Sequence, residues 1–137
     1  MLDNKLLQFT VRINEKMIDA LAKIDANKQG FVIVVDGEDR VLGVLTDGDV
    51  RRSIIKGKTA AESISFIYTS NAKTVSVYDG FELVTELFKN EAIKFLPIVD
   101  DEGKLVNIIT KNQMHALLLQ DVYADLSYDF SSLDTSV

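Results

Sequence analysis

The stretch Phe31-Val-Ile-Val-Val-Asp-Gly-Glu-Asp-Arg-Val-Leu-Gly-Val-Leu-Thr46 returns, 64 residues later and without a gap, as Phe95-Leu-Pro-Ile-Val-Asp-Asp-Glu-Gly-Lys-Leu-Val-Asn-Ile-Ile-Thr110. Identical residues fall at Phe31/Phe95, Val35-Asp36/Val99-Asp100, Glu38/Glu102 and Thr46/Thr110. Apolar Val34, Val41, Leu42, Val44 and Leu45 meet Ile98, Leu105, Val106, Ile108 and Ile109. The same offset carries Thr10-Val11 onto Thr74-Val75. A register held through strand, turn and strand marks a duplicated supersecondary unit, here roughly residues 9–57 and 73–120.

Working outward, each copy has one order of elements. Phe9–Ile13 and Thr74–Val77 alternate as short strands do. Asn14 is expected to cap a helix whose apolar face is Met17, Ala20, Leu21 and Ile24, matched in the second copy by Phe81, Val84, Leu87 and Phe88. Gly30 supplies a helix stop in the first copy, and Asn90 a weaker one in the second. Phe31–Val35 is continuously apolar, as a strand buried on both faces should be. Polar turns at Asp36–Asp39 and Asp100–Gly103 lead into Val41–Leu45 and Leu105–Ile109, and helices follow over Asp49–Ile55 and Asn112–Leu119. The fold class is therefore α/β (α+β), β-α-β-β-α twice over. A unit of ~50 residues buries only about 60% of its extended-chain surface, so the two copies are expected to share a core as one pseudo-symmetric, two-lobed domain. The expected boundaries are repeat 1 over 1–57, a linker over 58–72, repeat 2 over 73–120, and an acidic extension over 121–137. The extension, with Asp121, Asp125, Asp129 and Asp134 among Tyr123, Leu126, Tyr128 and Phe130, reads as a linker or as a strand docked on a neighbour.

Composition narrows the function. The 137 residues carry 15 Lys+Arg against 21 Asp+Glu, a net charge of −6, which argues against a phosphate-backbone binder. Hydrophobic content of 47% suits a folded core. The absence of Cys removes disulfides, thiolate nucleophiles and thiolate metal sites, and is compatible with a cytoplasmic location. No apolar run approaches the ~18 residues of a membrane span, and Met1–Phe9 has no signal-peptide core.

The chemistry concentrates in Gly43-Val-Leu-Thr-Asp-Gly-Asp-Val-Arg-Arg52. A strand ends, a hydroxyl follows at Thr46, Gly48 permits a tight turn, and Asp49 opens a helix. Thr46 and Asp49 have the spacing of an N-cap and its N3 residue. One reading makes them a ligand corner: Thr46 and free helical N–H groups face a phosphate while Asp49 accepts from ribose hydroxyls. The other makes Thr46 a cap and Asp49 a carboxylate placed well in the helix field.

These residues carry a resemblance. The chain is similar to a tandem pair of cystathionine-β-synthase (CBS) domains, a Bateman module. The signature is Gly43-Val-Leu-Thr-Asp-Gly-Asp49 in one copy, and Phe95–Gly103 with Leu105–Thr110 in the other. The family's nucleotide pattern is a glycine, two apolar residues, Thr or Ser, two further residues and Asp; it falls on Gly43 to Asp49 without a mismatch. The resemblance implies an adenine nucleotide (AMP, ADP or ATP) in the inter-repeat cleft. Asp49 would hold its ribose, Thr46 would approach phosphate or ribose, apolar groups near Phe31 and Val32 would sandwich its base, and Asp47 is a further binding residue. In the second copy Asn107 replaces the glycine and Gln113 the carboxylate, so at most one strong site per chain is expected. The resemblance also implies a homodimer. Thr-Asp-Gly-Asp-Val-Arg-Arg52 is closest in character to CBS pairs associated with sugar-phosphate nucleotidyltransferases, with arabinose-5-phosphate isomerases carrying a similar phrase. Neither catalytic domain is legible in the chain, which reads as a non-enzymatic regulatory module of an attached or separate enzyme. The alternative is a ligand-free assembly module of such an enzyme.

The remaining candidates are weaker. Arg52 is preferred over Arg51 as a phosphate contact, because adjacent helical residues point about 100° apart; Lys111 and His115 are the second-copy candidates. His115 lacks the companions a metal site needs. Gly57-Lys-Thr59 ends like a phosphate loop, but Arg52 stands where its first glycine must be. The acidic turns Asp36/Glu38/Asp39 and Asp100–Glu102 read as solvated turns rather than metal clusters.

Overall fold

The computed structural model describes residues 2–70 and 72–119 and divides into two compact units, the first ending at Ala72 and the second starting at Lys73. The acidic extension, and the roles proposed for it, lie outside the described residues.

The first unit comprises α1 (Asn4–Leu7), β1 (Thr10–Arg12), α2 (Met17–Asn27), β2 (Phe31–Val35), β3 (Val41–Thr46), α3 (Asp47–Ile55) and a 3-10 turn over Ile64–Phe66. Its sheet runs β1-β2-β3, with β2 central, parallel to β1 and antiparallel to β3. The second unit comprises β4 (Val75–Ser76), α4 (Phe81–Phe88), β5 (Phe95–Val99), β6 (Leu105–Thr110) and α5 (Lys111–Leu119), with sheet order β4-β5-β6 and the same parallel and antiparallel pairings. Each unit is thus the expected β-α-β-β-α repeat.

Duplication extends to the cores. Val11, Met17, Ala20, Ile24, Val32, Val34, Leu45 and Val50 form the first, and their counterparts Val75, Phe81, Val84, Phe88, Leu96, Ile98, Ile109 and Met114 form the second. These are one sheet face closed by two helix stripes, the ordinary way for such elements to bury apolar area. Even the register irregularity recurs, between Val34 and Val35 and between Ile98 and Val99.

Three local details differ from expectation. The cap of α2 is Lys16, not Asn14. Asn14 is spent in a turn, since the Glu15 N–H already bonds the Arg12 carbonyl; the Asp19 carboxylate then accepts the Lys16 N–H at 2.9 Å. Helix α2 stops at Lys28, in the left-handed region at φ 59°, ahead of Gly30. The Asn27 amide makes this stop local, donating to the Gln8 and Phe31 carbonyls. Finally, residues 58–70 are built into the first unit. The Glu62 and Ala60 carbonyls accept the Met17 and Ile18 N–H groups, orphan donors at the start of α2. Ile64 is fully buried in the first core, and Thr69 exchanges two backbone hydrogen bonds with Val44 on β3.

Candidate functional site

The end of β3 and the start of α3 form a corner held by side chains. Thr46 is the N-cap of α3, its Oγ accepting the Asp49 N–H at 3.1 Å; Asp49 Oδ2 accepts the Thr46 N–H at 2.9 Å. This reciprocal box satisfies two donors that a helix start leaves open. The second copy reproduces it with an amide: Thr110 Oγ accepts from Gln113 N–H at 3.2 Å and Gln113 Oε1 from Thr110 N–H at 2.8 Å. The capping role foreseen for Thr46 and Asp49 is therefore real, and a ligand role would be added to it.

Strand register sorts the other candidates by face. Phe31 pairs with Thr46 and Val32 with Leu45. Since neighbouring residues point to opposite faces, Phe31 and Thr46 share the face away from the helices. Val32 and Leu45 point into the core. The expected sandwich of a base by Phe31 and Val32 is thus divided: Val32 is fully buried among Val11, Met17 and Ala20, and its side chain is not on the Thr46 face. Phe31 is buried as well, its ring stacked on Phe9 with centroids 5.9 Å apart and planes at 26°.

Asp47 lies elsewhere. Its N–H bonds the Gly30 carbonyl at 3.0 Å, and its carboxylate, largely exposed, pairs with Arg51 at 3.4 Å. With Leu21, Ile24, Asp25, Lys28 and Gly30 it lines an open cavity of about 440 Å³ on the helix side of the unit. Arg52, by contrast, joins the corner: its guanidinium lies 2.7 Å from Asp49 Oδ1. Gly48 makes room for it, since a Cβ there would stand 3.1 Å from Arg52 Nη1.

One residue escaped the sequence reading. Thr10 pairs with Ile33, which places it on the same face as Phe31 and Thr46. It is 3% exposed. The repeated Thr10/Thr74 was the available signal, but it served only to set the repeat offset.

In the second unit, His115 is exposed on α5, and the Lys111 N–H bonds the Lys94 carbonyl as Asp47 does Gly30. Among the described residues no group of three or more His, Cys, Asp or Glu side chains is placed to hold a metal ion. The acidic turns have internal roles. Asp36 Oδ1 accepts the Glu38 and Arg40 N–H groups, Oδ2 pairs with Arg40 Nε at 2.9 Å, and Arg12 pairs with Asp39 at 2.8 Å. The Arg40 side chain, then its backbone N–H, holds Asp36 down to about 2 from 3.8. No described helix is long and apolar enough to cross a membrane.

Comparison with known proteins extends these parallels. The chain is 31% identical over 113 residues to the arabinose 5-phosphate isomerase GutQ of Salmonella typhi, covering 82% of this chain and 33% of that protein. It spans about a third of the length of the curated relatives it matches. Among solved structures it is similar to CBSX2 in complex with AMP (TM-score 0.69, 24% identity, 82% of this chain and 87% of that one). It is also similar to the CBS domain protein PAE2072 of Pyrobaculum aerophilum complexed with AMP (TM-score 0.69, 18% identity, 84% and 89%). The CBS domain family itself matches residues 8–56 and 63–118. Those two segments take in both sheets, helices α2 to α4 and both strand-to-helix corners, so the chain belongs to the CBS domain family, as a tandem pair.

Proposed function

We propose that this CBS pair is a regulatory module that senses an adenine nucleotide at the first unit's strand-to-helix corner. The observation that carries the reading is the corner itself: the Thr46 hydroxyl and Asp49 carboxylate stand at the start of α3, beside Phe31 on one sheet face. A helix start offers N–H groups and a positive field to phosphate, a carboxylate accepts from paired ribose hydroxyls, and Arg52 is within reach to neutralise negative charge. AMP complexes of similarly folded CBS proteins support adenine over other bases. Binding would favour one arrangement of the module, and an enzyme coupled to it would respond to that differential affinity. The proposed setting is the cytoplasm, the assembly a homodimer, and the enzyme, attached or separate, one acting on sugar phosphates. A nucleotidyltransferase is suggested by Thr46–Arg52; similarity to arabinose 5-phosphate isomerases favours the isomerase class.

Calorimetry with AMP, ADP, ATP, GTP and S-adenosylmethionine tests the reading. Saturable adenine-nucleotide binding that D49A abolishes is expected, with the thermal midpoint of D49A recorded alongside because Asp49 also caps α3. Silence across the panel would replace sensing by the second reading, a ligand-free assembly module. That reading draws on the exposed Ile18 of α2 and Ile54 and Ile55 of α3, apolar side chains suited to a subunit interface.

A further inference from the structure

Both oxygens of the Asp49 carboxylate are already engaged: Oδ2 by the Thr46 N–H and Oδ1 by Arg52, 2.7 Å away. Arg52 reaches it by folding back over Gly48, where a side chain would stand 3.1 Å from Nη1 and 3.5 Å from Nη2. Asp49 is mostly shielded, with its side chain 16% exposed, whereas that of Arg52 is 63% exposed. Resting on the nucleotide-sensing reading, we infer that Arg52 is a latch on Asp49 that makes the corner select phosphorylated nucleosides over neutral ones. A ribose diol that bridges the two Asp49 oxygens competes with the guanidinium for the lone pairs of Oδ1. A neutral nucleoside returns that displaced cation to water alone. A nucleoside phosphate receives it, so one charge-assisted contact is exchanged for another. The departing guanidinium also screens the phosphate from the Asp49 charge, a repulsion that would otherwise work against any anionic ligand. Gly48 leaves the guanidinium uncrowded, and the latch is confined to the first copy, where the corner carries a carboxylate.

The selectivity is read by titrating adenosine and AMP against the full chain and its R52A, R52K and G48A variants, with D49A as the site control. Wild type should prefer AMP. R52A should tighten adenosine and weaken AMP, lowering the AMP-to-adenosine affinity ratio by up to about fivefold, the scale of one partly exposed ion pair. R52K, keeping the charge, should retain most of the ratio. G48A, which favours the helix but crowds the folded-back guanidinium, should shift the ratio in the direction of R52A. Adenosine binding no tighter in R52A than in wild type, while D49A still abolishes binding, overturns the latch and leaves the sensing site standing. Absence of binding to wild type overturns both together.

Discussion

A methyl group at position 43 would fall inside the contact distance of the Thr69 carbonyl oxygen and 2.7 Å from Tyr68 Cδ2. Gly43 is therefore glycine because a crossing segment of backbone leaves no space for a Cβ. G43A should destabilise the chain by ~1–3 kcal/mol, the usual cost of overpacking, measured as a lower urea midpoint with unchanged m-value. The second copy carries Asn107 there, buried, with Oδ1 accepting the Ile108 N–H at 2.8 Å. Asp36 gives a second test. Its carboxyl is held at about 2 in the folded chain against 3.8 ordinarily. Its contribution to stability is thus complete above about pH 4 and lost as pH falls through about 2. Carboxyl NMR titration should place its midpoint near 2 in wild type and higher in R40A. At this scale the motif was legible and its reasons were not. Sequence showed Gly43, Thr46 and Asp49 in pattern, but the neighbour of Gly43 comes from far downstream, and which face Val32 takes depends on register with β3.

At the scale of elements, the offset of 64 residues predicted most of what is seen: β2 and β5, β3 and β6, and α3 and α5 all coincide under it. Apolar periodicity decides such segments because one face of each must be buried. Caps were harder. Thr46 and Thr110 fit a sequence rule and obey it, whereas Lys16 caps α2 through its main chain alone, with Asp19 reaching back. T46A and T110A should each cost ~1 kcal/mol in chemical unfolding, as lost N-caps do. The segment after α3 was the least legible element, since Ser, Thr and Asn disguise the buried Ile64. I64A should cost about 2–5 kcal/mol, comparable to other large-to-alanine changes in a core, and its thermal midpoint should fall accordingly.

For the whole molecule, two units of one design that differ at Asp49/Gln113 and Gly43/Asn107 imply unequal duties. AMP at about a hundredfold over its dissociation constant should stabilise wild type by ~2.7 kcal/mol, raising the thermal midpoint, while D49A shows no such rise and Q113A responds like wild type. Fold, repeat number and family were legible because duplication doubles every pattern. Thr10 was not, since its place on the Thr46 face follows from its pairing with Ile33, a property of register rather than of spelling.

The stretch from Ala60 to Thr69 bears on anyone who would dissect this protein. Severing the polypeptide after Gly57, where the duplicated pattern stops, would strip acceptors from the opening turn of α2, leave an isoleucine-sized void, and bare the outer margin of β3. Such a truncation would be insoluble, its naked strand recruiting others of its kind. A free-standing front half needs its tail, and the scissors belong beyond Thr69.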